Sequence, residues 1–173
     1  MTPSDYETVV YDLDGTLVRL AVDWDAAATD ARALFAANGH EEDGLGLWAM
    51  LERADDHGLG DEFEALLAEH EREGARASTR CPRADDLPLS VPTGVCSLNC
   101  EAACRIALDR HELADAVDAV VGRDSVATHK PDPAPLSAVI ERLGGRPATT
   151  LFVGDSERDE LTAERAGVDF EYV

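Results

Sequence analysis

Residues 8–14, Thr-Val-Val-Tyr-Asp-Leu-Asp, are a short apolar run that stops on two carboxylates and is broken at once by Gly15-Thr16. A run of this length, bounded by a turn signal and rich in β-branched residues, reads as a buried strand. From Gly94 the same kind of strand recurs between helices. Gly94 to Leu98 is apolar, and Asn99 can cap a helix to about His111; Val117 to Val121 is a second buried strand. Asp132 caps a helix that opens with Pro133, turns Leu136, Val139, Ile140 and Leu143 inward, and stops at Gly144. Thr149 to Val153 reads as a strand, Glu157 to Ala166 as a helix, and Phe170 to Val173 as a last strand. Strands alternating with helices predict an α/β fold, a doubly wound, Rossmann-like parallel sheet with helices on both faces.

Between the first strand and this region the periodicity is helical. Trp24, Ala28, Ala31 and Phe35 are spaced for one face of a helix over 23–38, which Asn38-Gly39 ends. Further amphipathic segments run from about Leu45 to His57 and from Glu62 to Glu73, the latter with Asp61 as N-cap. The prediction is a small all-helical cap inserted after the first strand, over 21–76, with a Rossmann-like core over 1–20 and 77–173. Trp24, Phe35, Trp48 and Phe63 read as the insert's own small core. Ala77 to Pro92, with three prolines, reads as a connector and carries the domain boundary.

Charge narrows the function. The 173 residues include 36 Asp or Glu against 15 Lys or Arg, a net −21, with 45% apolar residues, enough for a core. Such a field repels phosphate backbones and anionic headgroups, so nucleic acid and membranes are not expected partners. An anionic substrate then needs local positive charge or a metal. The cations are fourteen Arg and one Lys, Lys130. A carboxylate-rich, lysine-poor surface predicts a halophilic protein of the cytoplasm, where high salt screens self-repulsion. No signal-peptide pattern or apolar run of membrane-spanning length is present. Cys81, Cys96, Cys100 and Cys104 read as reduced thiols, mostly buried, rather than a zinc site. Oligomeric state is not legible.

In a doubly wound sheet, polar residues past the strand ends converge on one edge. Here that edge collects Asp12, Asp14 and Thr16; Ser97 and Asn99; His129, Lys130 and Asp132; and Asp155, Ser156 and Asp159. Several carboxylates held close together need a counter-charge, and oxygen ligands of this type suit Mg²⁺. Lys130 adds positive charge and Ser97 a hydroxyl donor, a set that fits phosphoryl transfer through an aspartyl-phosphate.

The segments Asp12-Leu13-Asp14-Gly15-Thr16, Ser97 at the end of an apolar strand, Lys130-Pro131-Asp132-Pro133, and Gly154-Asp155-Ser156 with Asp159 resemble, in order, the motifs of the haloacid dehalogenase-like (HAD) superfamily, and within it the phosphoglycolate phosphatase-like subgroup with a small helical cap. The resemblance implies a Mg²⁺-dependent phosphatase acting on a small-molecule phosphate monoester. Asp12 would be the nucleophile and a metal ligand. Asp14 would be the acid and base, its backbone carbonyl also on the metal. Ser97 and Lys130 would hold the phosphoryl group, and Asp155 and Asp159 would complete the metal site, Asp159 directly or through water. Leu98, where the family often has Asn, sets the chain apart, and Asn99 and His129 read as a helix cap and a loop residue. A phosphomutase of the same family, a receiver-like signalling domain and an inactive phosphate-binding protein are the alternative readings.

Overall fold

The structure, a computed structural model, describes residues 5–41 and 44–173. Its centre is β1 (Thr8–Tyr11), all four residues buried. It lies between β4 (Thr93–Cys96) and β6 (Thr150–Gly154), with β5 (Ala119–Val121) outside β4 and β7 (Asp169–Tyr172) outside β6. Every neighbouring pair is parallel, in the order β5-β4-β1-β6-β7. The chain runs from β1 to β4 on one side and returns to β6 on the other, so the order reverses beside β1. Crevices that bind ligands open at such a reversal.

Strand residues alternate between two cores, as a period of two requires. Val9, Tyr11, Val95, Leu151 and Val153 pack on one face with Ala103, Cys104 and Ala107 of α4 (Glu101–Arg110). Val10, Cys96, Phe152 and Val121 pack on the other with Leu136, Val139 and Ile140 of α5 (Ala134–Arg142) and Ala163 of α6 (Glu157–Ala166). The fold is the doubly wound α/β sheet that the sequence predicts.

The helical insertion contains α1 (Trp24–Ala37), α2 (Leu47–Ala54) and α3 (Gly60–Arg76). Asp23 caps α1, its side chain accepting from Ala26 N–H at 2.9 Å. The chain enters and leaves this region through a two-stranded antiparallel stem that sequence periodicity does not reveal, β2 (Val18–Arg19) against β3 (Thr79–Arg80). Phe35, Met50, Phe63 and Leu67 form a core of their own, but Ala68 and Ala75 at the far end of α3 join the core under the sheet, and α3 packs along α4.

Three caps differ from expectation. Helix α3 begins at Gly60 with Leu59 in the cap position, which leaves Asp61 in the first turn, where a carboxylate favours the helix dipole. Asn99 does not cap α4. Cys100 holds that position, and the first N–H groups go to distant acids: Cys100 N–H to Glu71 at 2.8 Å and Glu101 N–H to Asp124 at 2.7 Å. Pro133, not Asp132, holds the cap position of α5, and Asp132, one residue earlier, accepts from Ala134 N–H at 2.8 Å. Cys96, Cys100 and Cys104 are buried thiols and Cys81 is half-buried. Among the described residues no helix is long and apolar enough to cross a membrane.

Candidate active site

The strand ends deliver the side chains. Asp12 follows β1 directly and its N–H still bonds Val153 O at 2.8 Å; Ser97 follows β4 and bonds Val121 O at 3.0 Å. Both are therefore fixed by the sheet's own ladder. After Asp12 the chain folds back tightly, with Leu17 N–H and Val18 N–H both donating to Leu13 O. Gly15 lies in this turn at φ +97°, and a Cβ there would sit 2.0 Å from Asp155 Oδ2. Only glycine meets both demands, positive φ and the close approach of the Asp155 loop.

Lys130, 3% exposed, is the centre of the site. Its Nζ donates to Asp12 Oδ1 at 2.7 Å and to Asp159 Oδ1 at 2.5 Å. The other oxygen of Asp159 accepts from Ser156 Oγ at 2.6 Å and Ser156 N–H at 3.2 Å, so this acid also closes the capping box of α6. Asp12, Asp155 and Asp159 each bring a carboxylate oxygen within 4.8 Å of the others. Asp14 faces the same cleft, its Oδ1 accepting from Leu20 N–H at 2.9 Å. Ser97 is buried, its Oγ donating at 3.1 Å to Oδ1 of Asn99, which together with Leu98 lines the cleft. His129 and Asp132 line a separate cavity and stay apart from the acids.

Burial pushes the Asp12 carboxyl up, to about 7; Asp159 and Asp155 add to this and Lys130 opposes it. Burial also pulls against the Lys130 ammonium, but Asp12 and Asp159 hold it well above the ordinary lysine value. The cation stays charged while the acids around it repel one another. Asp14 and Asp155 are raised as well, both chiefly by burial. Four carboxylates around one lysine leave negative charge in excess, and hard oxygen donors so placed fit Mg²⁺.

The cleft encloses about 140 Å³. Its outer wall comes from the insertion: Trp24 and Trp48 line it, with ring centroids 6.0 Å apart, and the Arg158 guanidinium of α6 lies 5.7 Å from the Trp48 ring. Of the four aromatic residues read as an insert core, only Phe35 and Phe63 are fully buried, and Trp24 is 37% exposed. The two tryptophans are site residues that sequence reasoning missed. Their positions in the first turns of α1 and α2 offer no signal beyond a large aromatic at the start of a helix.

Fold and site together define an α/β enzyme working at the switch point of a parallel sheet. Residues 88–173 match the family model described as haloacid dehalogenase-like hydrolase. The chain is 35% identical to a phosphoglycolate phosphatase of Cereibacter sphaeroides, an alignment covering 94% of this chain and 82% of the relative. Against the phosphoglycolate phosphatase of Rhodospirillum rubrum the figures are 33%, 94% and 77%. A HAD-superfamily hydrolase of subfamily IA from Geobacter sulfurreducens superposes with a TM-score of 0.63 at 28% identity, covering 95% of this chain and 88% of that one. CbbY from Rhodobacter sphaeroides, solved with phosphate, shares the fold with a TM-score of 0.60 at 24% identity, covering 96% and 85%. The chain belongs to the haloacid dehalogenase-like hydrolase family and is a phosphoric monoester hydrolase.

Proposed function

We propose that this enzyme hydrolyses a small phosphate monoester through an aspartyl-phosphate on Asp12, with Mg²⁺ as cofactor. The observation that carries the reading is the buried Lys130 held between Asp12 and Asp159, with Asp155 completing a carboxylate triad. Asp12 attacks phosphorus. Asp14, raised by its burial, hands its proton to the leaving oxygen and then takes one from the water that cleaves the acyl phosphate. Lys130 neutralises phosphoryl oxygens, and Ser97 donates to one of them after releasing Asn99. Asp12, Asp155, the carbonyl of Asp14 and, directly or through water, Asp159 would hold the metal. When bound, Mg²⁺ offsets the carboxylates and draws phosphoryl oxygens into the site.

Residues 21–76 act as the cap. A cleft of about 140 Å³ under two tryptophans suits a small leaving group. Phosphoglycolate, the ester in the relatives' names, is the first physiological substrate to test. The charge of −21 and the single lysine support a halophilic, cytoplasmic enzyme without nucleic-acid or membrane partners. The experiment is an assay with p-nitrophenyl phosphate and with phosphoglycolate, Mg²⁺, and low or molar KCl. The expected outcome is turnover that EDTA abolishes and that Asp12→Asn lowers about a thousandfold or more. Unimpaired turnover by Asp12→Asn refutes the assignment.

A further inference from the structure

The turn that presents Ser97 is held from the insertion. Glu71 of α3 is fully buried, and its Oε2 accepts from Cys100 N–H at 2.8 Å. Its Oε1 faces the Asn99 amide at 3.5 Å, and Asn99 is the residue whose side chain and N–H both bond the Ser97 hydroxyl, each at 3.1 Å. The counter-charge is Arg123, 4% exposed, which reaches Glu71 with Nη1 at 2.5 Å and Nη2 at 3.0 Å. Arg123 also donates to Leu98 O at 2.7 Å, and its own N–H donates to Asn99 O at 2.9 Å. On its outer side it pairs with Glu64 at 2.6 and 2.9 Å. Thus residues 98, 99 and 100, the whole link between Ser97 and α4, are gripped by one buried pair.

From this the geometry points to Glu71, with Arg123, as a positioning residue for Ser97. The inference rests on the phosphatase reading, in which Ser97 meets the phosphoryl group. A buried ion pair serving stability alone needs no contact with the catalytic turn, and buried pairs contribute little net stability. Besides the two bonds from Arg123 to Glu64, this one spends its further hydrogen bonds on the turn, at Leu98 O, the Asn99 amide and Cys100 N–H. Its charge lies in the insertion and its effect in the sheet, so α3 belongs to the phosphate site although it carries no residue that touches substrate. Movement of α3 away from α4 would loosen the serine.

A double-mutant cycle tests this. In the wild-type background, Ser97→Ala is expected to lower kcat/KM for p-nitrophenyl phosphate about thirtyfold and to weaken inhibition by inorganic phosphate in parallel. The Glu71→Met/Arg123→Met variant replaces the pair with apolar side chains of similar length; in that background Ser97→Ala is expected to cost less than about threefold. Glu71→Gln, which keeps an oxygen for Cys100 N–H, is expected to retain activity within about threefold. If the double variant does not fold, the cycle is run with Glu71→Leu, which leaves Arg123 paired to Glu64. Losses that simply add in the cycle, with Asp12→Asn silent, overturn the positioning role alone. An active Asp12→Asn overturns the phosphatase reading beneath it.

Discussion

Two buried cations, each set between two carboxylates, divide the work of this molecule. Arg123 offers a planar fork and fills it: its three nitrogens reach Glu64, Glu71 and Leu98 O. Nothing is left to bind a ligand. Lys130 meets Asp12 and Asp159 with a compact ammonium, while Asp14 and Asp155 share the same cleft and feel Arg19 only as a neighbouring charge that lowers both without outweighing their burial. In the first cluster every guanidinium donor is taken, although Glu64 and Arg123 also border the cavity lined by His129 and Asp132; the second has two further carboxylates and opens to a cleft. Burial of a salt bridge is common to both, so burial does not mark the site. Incomplete compensation does. The residue types follow, since a bidentate fork suits a fixed joint and a point charge can be shared between a carboxylate and an arriving phosphate.

Exchanging the two cations tests this contrast most severely. Lys130→Arg should lower kcat/KM about a hundredfold or more, because a bulkier fork cannot share the phosphoryl position, while the melting temperature stays near that of the wild type. Arg123→Lys should do the reverse first: about 2 kcal/mol of stability lost to unpaired Glu64 and Leu98 groups, read by denaturant titration. Equal effects of both exchanges on activity and stability would erase the distinction.

Next in size is a pH effect confined to the open cluster. In the metal-free fold the Asp12 carboxyl sits near 7 against an ordinary 3.8, so the folded chain holds a proton that the unfolded chain releases. Stability contributed by this group therefore falls as pH rises between those values, and the penalty is full above about 7. Asp12→Asn should raise the melting temperature of the metal-free protein by about 3 °C or more at pH 8, and by less at pH 5. A gain that does not grow with pH would remove the group from this role. The smallest effect belongs to the cleft rim: Trp48→Ala should raise KM about fivefold with kcat nearly unchanged, through loss of its wall and of the Arg158 contact. A fall in kcat instead would mean that the rim shapes the reacting centre.

Much of the open cluster is legible in the chain because strand ends advertise themselves. Asp12, Lys130, Asp155 and Asp159 lie beside turn residues after apolar runs, and a parallel sheet can only bring such points together. The closed cluster has no such grammar. Glu71 and Arg123 are 52 positions apart and read as two more surface charges of an acidic protein. A weak signal does exist: Phe63, Leu67, Glu71 and Ala75 recur every fourth residue on the buried stripe of α3, and a carboxylate on that stripe demands a partner. The paired strands of the stem, two residues each, are too short for any period to show. Asn99 misleads because a helix can be capped from afar, by Glu71 and Asp124, when tertiary contacts supply the acceptor.

The stem bears on how far the molecule can be rebuilt. Since Val18 lies beside Arg80 and Arg19 beside Thr79, the sheet sees everything between them as one long excursion, and on backbone grounds a foreign segment could be grafted there. Arg123 sets the condition for such a transplant. A replacement without an acid at the position of Glu71 would strand a buried guanidinium beside the serine turn and release that turn, so the graft must bring its own buried carboxylate to inherit the active site.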